Sequence, residues 1–181
     1  GLGLLASDRS DWKTVPVIED AAVPVEHLAD YIDQIHEIVQ GEGAEMSVYA
    51  HASAGCLHVR PLLNLKSEEG LRQYRAIGEA AVDAVLSFGG TTSGEHGEGL
   101  LRGEFSERLF GTKLTQAFRE VKHLFDPNNR MNPNKVVDAL PMDDSNLLRY
   151  GVGYKTPLTI INPRFDWSTD QGFAGAIEMC N

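Results

Sequence analysis

Two histidines, His51 and His58, flank the short run Ala-Ser-Ala-Gly in a stretch that otherwise alternates like β-strand. If that run is a turn, the flanking strands form a hairpin and bring the two imidazoles near each other. Neutral imidazoles at that distance are a natural pair of ligands for a divalent cation such as zinc. The alternative is a pair of histidines on a solvated face, and the hairpin by itself leaves both interpretations open.

The strand after the turn is predicted to have one polar and one apolar face. Alternation places Cys56, His58 and Arg60 on one side, with Leu57 and Val59 on the other. The cysteine is expected to be a small packing residue, because no obvious base lies beside it in the sequence. The polar face is therefore the one on which chemistry is expected.

A glycine-rich stretch, SGEHGEG, places Glu95 and His96 side by side. The surrounding glycines allow the backbone to approach a ligand closely. Glu95 offers a third metal ligand, and His96 offers an acid/base group whose ordinary pKa lies near physiological pH. Because neighbours in an extended segment point in opposite directions, the two side chains are expected to serve different partners. A flexible turn with incidental charge is the alternative interpretation.

Helices and strands of ordinary length are predicted to carry these residues. Apolar residues recur at helical spacing from Leu28 to a stop at Gly41, and again in a segment that begins at Ser67. Ser106 is expected to cap a third helix with an apolar stripe for packing. Helices interleaved with a hairpin predict an α+β fold, with an antiparallel sheet and helices on one face. The sequence after about residue 140 has no sustained periodicity and is predicted to be an extended tail or linker.

Composition limits the classes of function. The chain has 181 residues, of which 42% are hydrophobic, and a formal net charge of −10, which argues against a nucleic-acid backbone as partner. No apolar stretch approaches the roughly 18 residues of a membrane span, although peripheral attachment stays open. Two distant cysteines make no disulfide framework and indicate a reducing compartment. Both ends look interrupted, so we expect a fragment of a longer chain.

Three motifs in this order, HASAGCLH, SGEHGEG and FDPNNRMNPNKV, resemble the C-terminal (cap) domain of FAD-linked oxidases in the vanillyl-alcohol oxidase superfamily. That group includes D-lactate dehydrogenases, D-2-hydroxyglutarate dehydrogenases and the flavin subunit of glycolate oxidase. The resemblance implies a partial ferredoxin-like cap domain over residues 1–140. The tail, residues 141–181, is similar to long members fused to an iron–sulfur domain, and Cys180 would begin the approach to that domain.

The resemblance also implies roles for individual residues. The metal-binding positions of the family match His51, His58 and Glu95, its proton-abstracting histidine matches His96, and its flavin-proximal asparagine matches Asn132. Positive charge to orient the carboxylates of the substrate is expected from Arg60, Lys13 and Arg102. Many members have Asp and Asn where this chain has Ala54 and Cys56, so the resemblance implies the class of reaction and leaves the identity of the substrate open.

The implied reaction is oxidation of a D-2-hydroxy acid of the lactate, 2-hydroxyglutarate or glycolate type, with hydride transfer to FAD. The expected cofactors are FAD, bound mainly by an N-terminal domain, a divalent metal, for which zinc is preferred, and an iron–sulfur cluster in a further C-terminal part. The fragment alone is expected to carry no FAD and to show no turnover. The expected location is cytoplasmic, with peripheral attachment to the inner membrane left open. A metallohydrolase and a non-catalytic assembly module are the alternatives.

Overall fold

A four-stranded antiparallel sheet is built around one central strand in the computed structural model, which describes residues 10–155 and 163–179. The strands are β1 (Lys13–Thr14), β2 (Ile18–Ala22), β3 (Met46–His51) and β4 (Cys56–Leu63). β4 pairs with each of the other three. His58 of β4 therefore lies opposite Tyr49 of β3 and Glu19 of β2.

Four α-helices accompany the sheet in the described ranges: α1 (Leu28–Gly41), α2 (Glu68–Ser87), α3 (Ser106–Phe125) and α4 (Gly172–Glu178). The start of α2 follows from its sequence, because the Ser67 side chain accepts a hydrogen bond of 3.0 Å from the Gly70 N–H. Two glutamates in its first turn complement the helix dipole. The α+β class and the hairpin predicted from the sequence are confirmed.

The core lies between the apolar face of the sheet and helices α1 and α2. Tyr31, Ile35 and Val39 of α1 are completely buried, at the helical spacing predicted from the sequence. Leu57 and Val59 of β4 are buried in the same cluster. The opposite face of β4 carries the polar residues, as predicted. His58 lies on this face and is nevertheless buried.

Helix α3 differs from the sequence-based expectation in two ways. Ser106 does not cap it, because a 3-10 turn (Gly103–Phe105) runs directly into the helix and Phe105 occupies the N-cap position. Gly111 interrupts the helical backbone with φ 75° and ψ 161°. The predicted apolar stripe is exposed, with values of 39% to 74% for Phe110, Leu114, Val121 and Phe125. The amphipathic spacing correctly predicts a helix, but this stripe does not join the core.

The segment after residue 140 contacts the rest of the fold. Met142 is buried in the hydrophobic cluster, and the Lys66 ammonium contacts Glu178 of α4 at 2.8 Å. The predicted boundary near residue 140 stays a prediction, and Cys180 lies outside the described residues. Among the described residues, no helix combines the length and apolar character that crossing a membrane requires.

The turn between β3 and β4 depends on Gly55, which provides a first prediction. Its φ is 67°, and an added Cβ would lie 2.0 Å from the Val23 carbonyl oxygen. Gly55→Ala should lower the free energy of unfolding by about 3–5 kcal/mol, because it combines left-handed backbone strain with a steric clash. Gly89→Ala is the matched control, since φ is 69° there and no atom lies within 4 Å of the added Cβ. Urea unfolding of both variants should separate the clash from the strain, and equal losses would contradict this account.

Candidate metal and proton-transfer site

A bulge in β2 places two acidic side chains on the polar side of the sheet. The register shifts between Glu19 and Ala21, and Asp20 is the extra residue, with φ 73°. The bulge preserves the core positions on either side of it, because Ile18 still pairs with Val59 and Ala21 pairs with Leu57. Glu19 and Asp20 are 5% and 0% exposed. Two charged groups are thus buried next to each other, and each requires partners.

Asp20 fixes the loop that follows α2. Its carboxylate accepts hydrogen bonds from the backbone N–H groups of Glu95 (2.8 Å) and His96 (2.7 Å) and from the Ser93 hydroxyl (2.6 Å). The Asp20 backbone carbonyl also accepts from the Gly94 N–H at 2.7 Å. One buried residue therefore sets the position of the whole glycine-rich segment relative to the sheet.

These bonds determine the protonation of the groups around Asp20. Burial by itself would raise the pKa of Asp20, but the hydrogen bonds from Ser93, His96 and Glu95 outweigh it and lower the pKa below its usual value. Burial and the neighbouring Asp20 carboxylate raise the pKa of the Cys56 thiol to about 11. Cys56 is therefore a protonated, buried thiol at neutral pH, in agreement with the packing role predicted for it.

Successive N–H groups that bind one carboxylate are incompatible with the extended segment that the sequence predicts. The Glu95 and His96 side chains consequently approach each other, and His96 Nε2 lies 3.2 Å from Glu95 Oε1. The expectation that the two side chains would point in opposite directions is wrong for this geometry. Both belong to a single cluster.

The Glu95 carboxylate lies at the centre of three imidazoles. Its Oε1 is 3.4 Å from His51 Nε2, 3.2 Å from His58 Nε2 and 3.2 Å from His96 Nε2. The His58 ring stacks on Tyr49 and on His96, with centroid distances of 4.5 and 5.3 Å. One hairpin and a loop that lies more than 35 residues further along the chain therefore supply one compact set of nitrogen and oxygen ligands.

The burial of His58 favours a cation at this place. The residue is only 2% exposed, which excludes the solvated-face interpretation for it, and neither ring nitrogen makes a hydrogen bond of good geometry. A buried imidazole without hydrogen bonds is costly unless another ligand satisfies it. The ligand atoms of His51, His58 and Glu95 all lie within 4.8 Å of one another, so these residues fit a divalent cation. Two overlapping sets, Glu19–His58–His96 and Asp20–Cys56–Glu95, meet the same distance limit.

The three positively charged side chains predicted to bind the substrate have different surroundings. Arg60 contacts Glu19 through Nε at 2.6 Å, and burial, which would lower the pKa of Arg60, is outweighed by the Glu19 carboxylate, which raises it. Arg60 and Lys13 line one cavity of about 250 Å³, next to Lys66 and Tyr150. The structure thus brings two of the three predicted residues to the same cavity.

Arg102 is buried, and its guanidinium contacts the protein itself. It donates hydrogen bonds to the backbone carbonyls of Glu19 (2.6 Å) and Gly97 (2.9 Å), and its Nε lies 3.4 Å from the Glu98 carboxylate. These contacts connect the β2 bulge to the end of the glycine-rich loop. The contacts shown for Arg102 are thus with the protein itself, and its role in substrate binding stays a prediction.

Asn132 is exposed, with φ 50°, in the irregular segment after α3. The histidine–carboxylate cluster described above does not include it, so its flavin contact stays a prediction. Sequence reasoning missed Glu19 and Asp20, although a signal was present. Two consecutive acids interrupt the otherwise apolar strand VIEDAAV, and charges in a buried strand indicate partners elsewhere in the fold.

Asp20→Asn provides a second prediction. At pH 7 the variant should lose about 2–4 kcal/mol of unfolding free energy, because an amide cannot accept all three donors as a carboxylate does. The lowered pKa of Asp20 means that its stabilisation is present above the usual value of 3.8 and is lost as the pH falls through the folded-state pKa. Urea unfolding between pH 7 and pH 2.5 should therefore show a smaller acid-induced loss in the variant. The exposed Asp33→Asn is the control, and parallel pH profiles for wild type and Asp20→Asn would contradict this role.

Comparison with known proteins agrees with the resemblance seen in the motifs. The family described as FAD linked oxidases, C-terminal domain, matches residues 6–136. The chain is 36% identical over 143 residues to D-2-hydroxyglutarate dehydrogenase of Haemophilus influenzae and 38% identical over 142 residues to that of Escherichia coli. It is 35% identical over 128 residues to D-lactate dehydrogenase of Archaeoglobus fulgidus.

These alignments cover 79%, 78% and 71% of this chain, but 14%, 14% and 28% of the respective relatives. The chain therefore spans only a small part of the length of the proteins that it matches. The match over residues 6–136, together with these identities, shows that the chain belongs to the FAD-linked oxidase family and represents its C-terminal domain.

Proposed function

We propose that this chain is the substrate- and metal-binding part of a flavin-dependent dehydrogenase that oxidises a D-2-hydroxy acid. The observation that carries the proposal is the convergence of His51, His58 and His96 on one oxygen of Glu95. The named activities of the relatives agree with this reaction class, since they are D-2-hydroxyglutarate and D-lactate dehydrogenases. Lactate, 2-hydroxyglutarate and glycolate types of substrate all stay open.

His51, His58 and Glu95 are the residues proposed to hold the cation. Two imidazoles and one carboxylate match the donor set of catalytic zinc sites, which leave a coordination position for a substrate. Bound there, a divalent ion would supply Lewis-acid polarisation of the substrate hydroxyl. His51 and Glu95 are about half exposed, so a substrate could reach the ligand set from their side. His58 is buried, so its side of the ligand set is closed to solvent.

His96 is proposed to accept the hydroxyl proton. Its ring lies beside the ligand set and is half exposed, which allows contact with a bound acid. Nε2 points towards Glu95, so the proton-accepting atom and the metal ligand face the same region. FAD would supply the hydride acceptor, and we propose that sequence outside the 181 residues binds most of it. An iron–sulfur cluster in a further part of the protein, and a location in the cytoplasm or at the periphery of the inner membrane, belong to the same proposal.

Arg60 and Lys13 are proposed to bind the carboxylate of the acid from the neighbouring cavity. Both line it, and Arg60 lies two residues from His58 on the same strand face. Charge-assisted hydrogen bonds from a guanidinium or an ammonium suit a carboxylate well. A metallohydrolase would use the same ligand set to activate water, and the family membership favours the dehydrogenase.

The central test uses the full-length protein with a panel of D-2-hydroxy acids and an artificial electron acceptor. Wild type should contain a stoichiometric divalent metal, measured by mass spectrometry after gel filtration, and should lose turnover on chelation. Glu95→Gln should lose the metal. His96→Gln should retain it while kcat falls about 100-fold or more, because only the proton acceptor is removed.

His36→Gln is the matched control for the histidine variants, because His36 is exposed on α1 and contacts Gln40. It should leave both metal content and turnover unchanged. Metal-free wild type with full activity would refute the metal site, and undiminished turnover of His96→Gln would refute the proton acceptor. Turnover confined to hydrolytic substrates would replace the proposal with the hydrolase.

A separate prediction concerns the cavity. Lys13→Gln should raise KM for the acid about 10-fold or more with little change in kcat, because it removes a charged contact made equally to substrate and transition state. Arg60→Gln should raise KM and also lower Tm, because it leaves the buried Glu19 without its 2.6 Å partner. Lys113→Gln on the exposed side of α3 is the control. Initial-rate kinetics and thermal unfolding provide the measurements, and an unaltered KM in Lys13→Gln would count against this assignment.

A further inference from the structure

Glu19 is a buried carboxylate with a different kind of partner on each oxygen. Its Oε2 lies 2.6 Å from Arg60 Nε. Its Oε1 lies 3.3 Å from His58 Nδ1 and 3.8 Å from His96 Nδ1, and the Tyr49 hydroxyl donates to it at 3.5 Å. The β2 bulge and the antiparallel register place it directly opposite His58.

Two imidazoles therefore lie between two carboxylates. His58 and His96 both present Nδ1 towards Glu19 and Nε2 towards Glu95, and their rings are stacked with an angle of 29°. His51 differs, because its Nε2 faces Glu95 and its ring is perpendicular to that of His58. The two stacked rings thus share one orientation, in which Glu19 is the group that both Nδ1 atoms face.

From this arrangement we propose that Glu19 is a positioning residue that keeps His58 and His96 in the same tautomer, with the proton on Nδ1. A neutral imidazole carries one N–H, and here a carboxylate lies beside each ring nitrogen, Glu19 beside Nδ1 and Glu95 beside Nε2. A cation bound by Glu95 would exclude a proton from the Nε2 side, and Glu19 then holds the proton on Nδ1. The lone pair is then on Nε2 in both rings. His58 uses it as a ligand to the cation, and His96 uses it to accept the substrate proton. One carboxylate thus prepares two different functions.

A competing assignment makes Glu19 a metal ligand, because Glu19, His58 and His96 also lie within the distance limit for a shared cation. The 2.6 Å contact with Arg60 argues against it, since the positive guanidinium already neutralises Glu19 and would repel a second cation. A neutral imidazole has only one lone pair available to a cation, so His58 can bind a cation through Nε2 or through Nδ1 but not through both. The structure therefore assigns the cation to the Nε2 side and the proton to the Nδ1 side.

Glu19→Gln is a sharp test of this role because Arg60 dictates how the amide must lie. Arg60 has only donors, so it selects the amide oxygen, and the amide NH₂ is then directed at the two Nδ1 atoms. The side chain keeps its shape but favours the opposite tautomer, with the proton on Nε2. Glu98→Gln is the matched control, since the Glu98 side chain is 8% exposed against 7% for Glu19 and lies 3.4 Å from Arg102, while the group that donates a hydrogen bond to it is the Thr92 hydroxyl and not a histidine.

In the full-length protein, Glu19→Gln should bind zinc about 10- to 100-fold more weakly than wild type in competition with a chelator. Its cobalt(II)-substituted form should show an altered visible spectrum. At saturating metal and substrate, kcat should fall about 10-fold or more while KM changes less than about threefold, because the His96 lone pair is lost but the substrate contacts remain. Glu98→Gln should lower thermal stability without changing the metal affinity.

The role of Glu19 rests on the proposed function, and the outcomes separate the two. Metal-free wild type would refute the proposed metal site and, with it, this inference, because without a cation Glu95 competes with Glu19 for the proton of each ring. Metal-binding wild type with unchanged affinity and unchanged kcat in Glu19→Gln would overturn the positioning role alone. If Glu19→Gln loses the metal as completely as Glu95→Gln does, Glu19 is a metal ligand. That result would overturn the assignment of the cation to Nε2 and of the proton to Nδ1.

Discussion

The burial of two adjacent carboxylates, Glu19 and Asp20, is the constraint on which the site depends. A buried anion is tolerated only where donors or cations surround it, and the β2 bulge brings both anions to the same side of the sheet. Asp20 is surrounded by N–H groups of the glycine-rich loop, and Glu19 by Arg60 and the imidazoles. The contacts that compensate these two buried charges are therefore also the ones that bring the histidines and the glycine-rich loop together.

This arrangement also explains why a site that includes a loop has defined geometry. Loops rich in glycine sample many conformations, and a reactive group on such a loop is poorly positioned unless tertiary contacts restrict it. Here the segment from Ser93 to Gly97 is tied to β2 by the Asp20 carboxylate and by the Asp20 carbonyl, and Arg102 bonds to both ends of that connection. The rigid sheet supplies the positions, and the loop supplies the exposed groups.

The sequence predicted the local elements better than it predicted what surrounds them. Periodicity placed α1, α2 and the hairpin correctly, and the small residues before Cys56 indicated the turn that brings His51 towards His58. The same periodicity in α3 indicated an apolar face but carries no information on what covers it, and that face is exposed. The contacts of Glu19, Asp20 and Arg102 depend on a bulge and on residues that are far away in the sequence, which no local pattern encodes.

Adjacency in sequence has a physical consequence for the two reactive groups of the loop. Glu95 and His96 donate successive backbone N–H groups to the two oxygens of one carboxylate, so they cannot move independently of each other or of β2. Since a proton acceptor is effective only within about 3 Å of its donor, a metal ligand and an acceptor fixed to the same anion would keep their separation through small motions of the loop. The position of both side chains relative to the sheet therefore depends on Asp20, although its carboxylate contacts their backbone N–H groups and not their side chains.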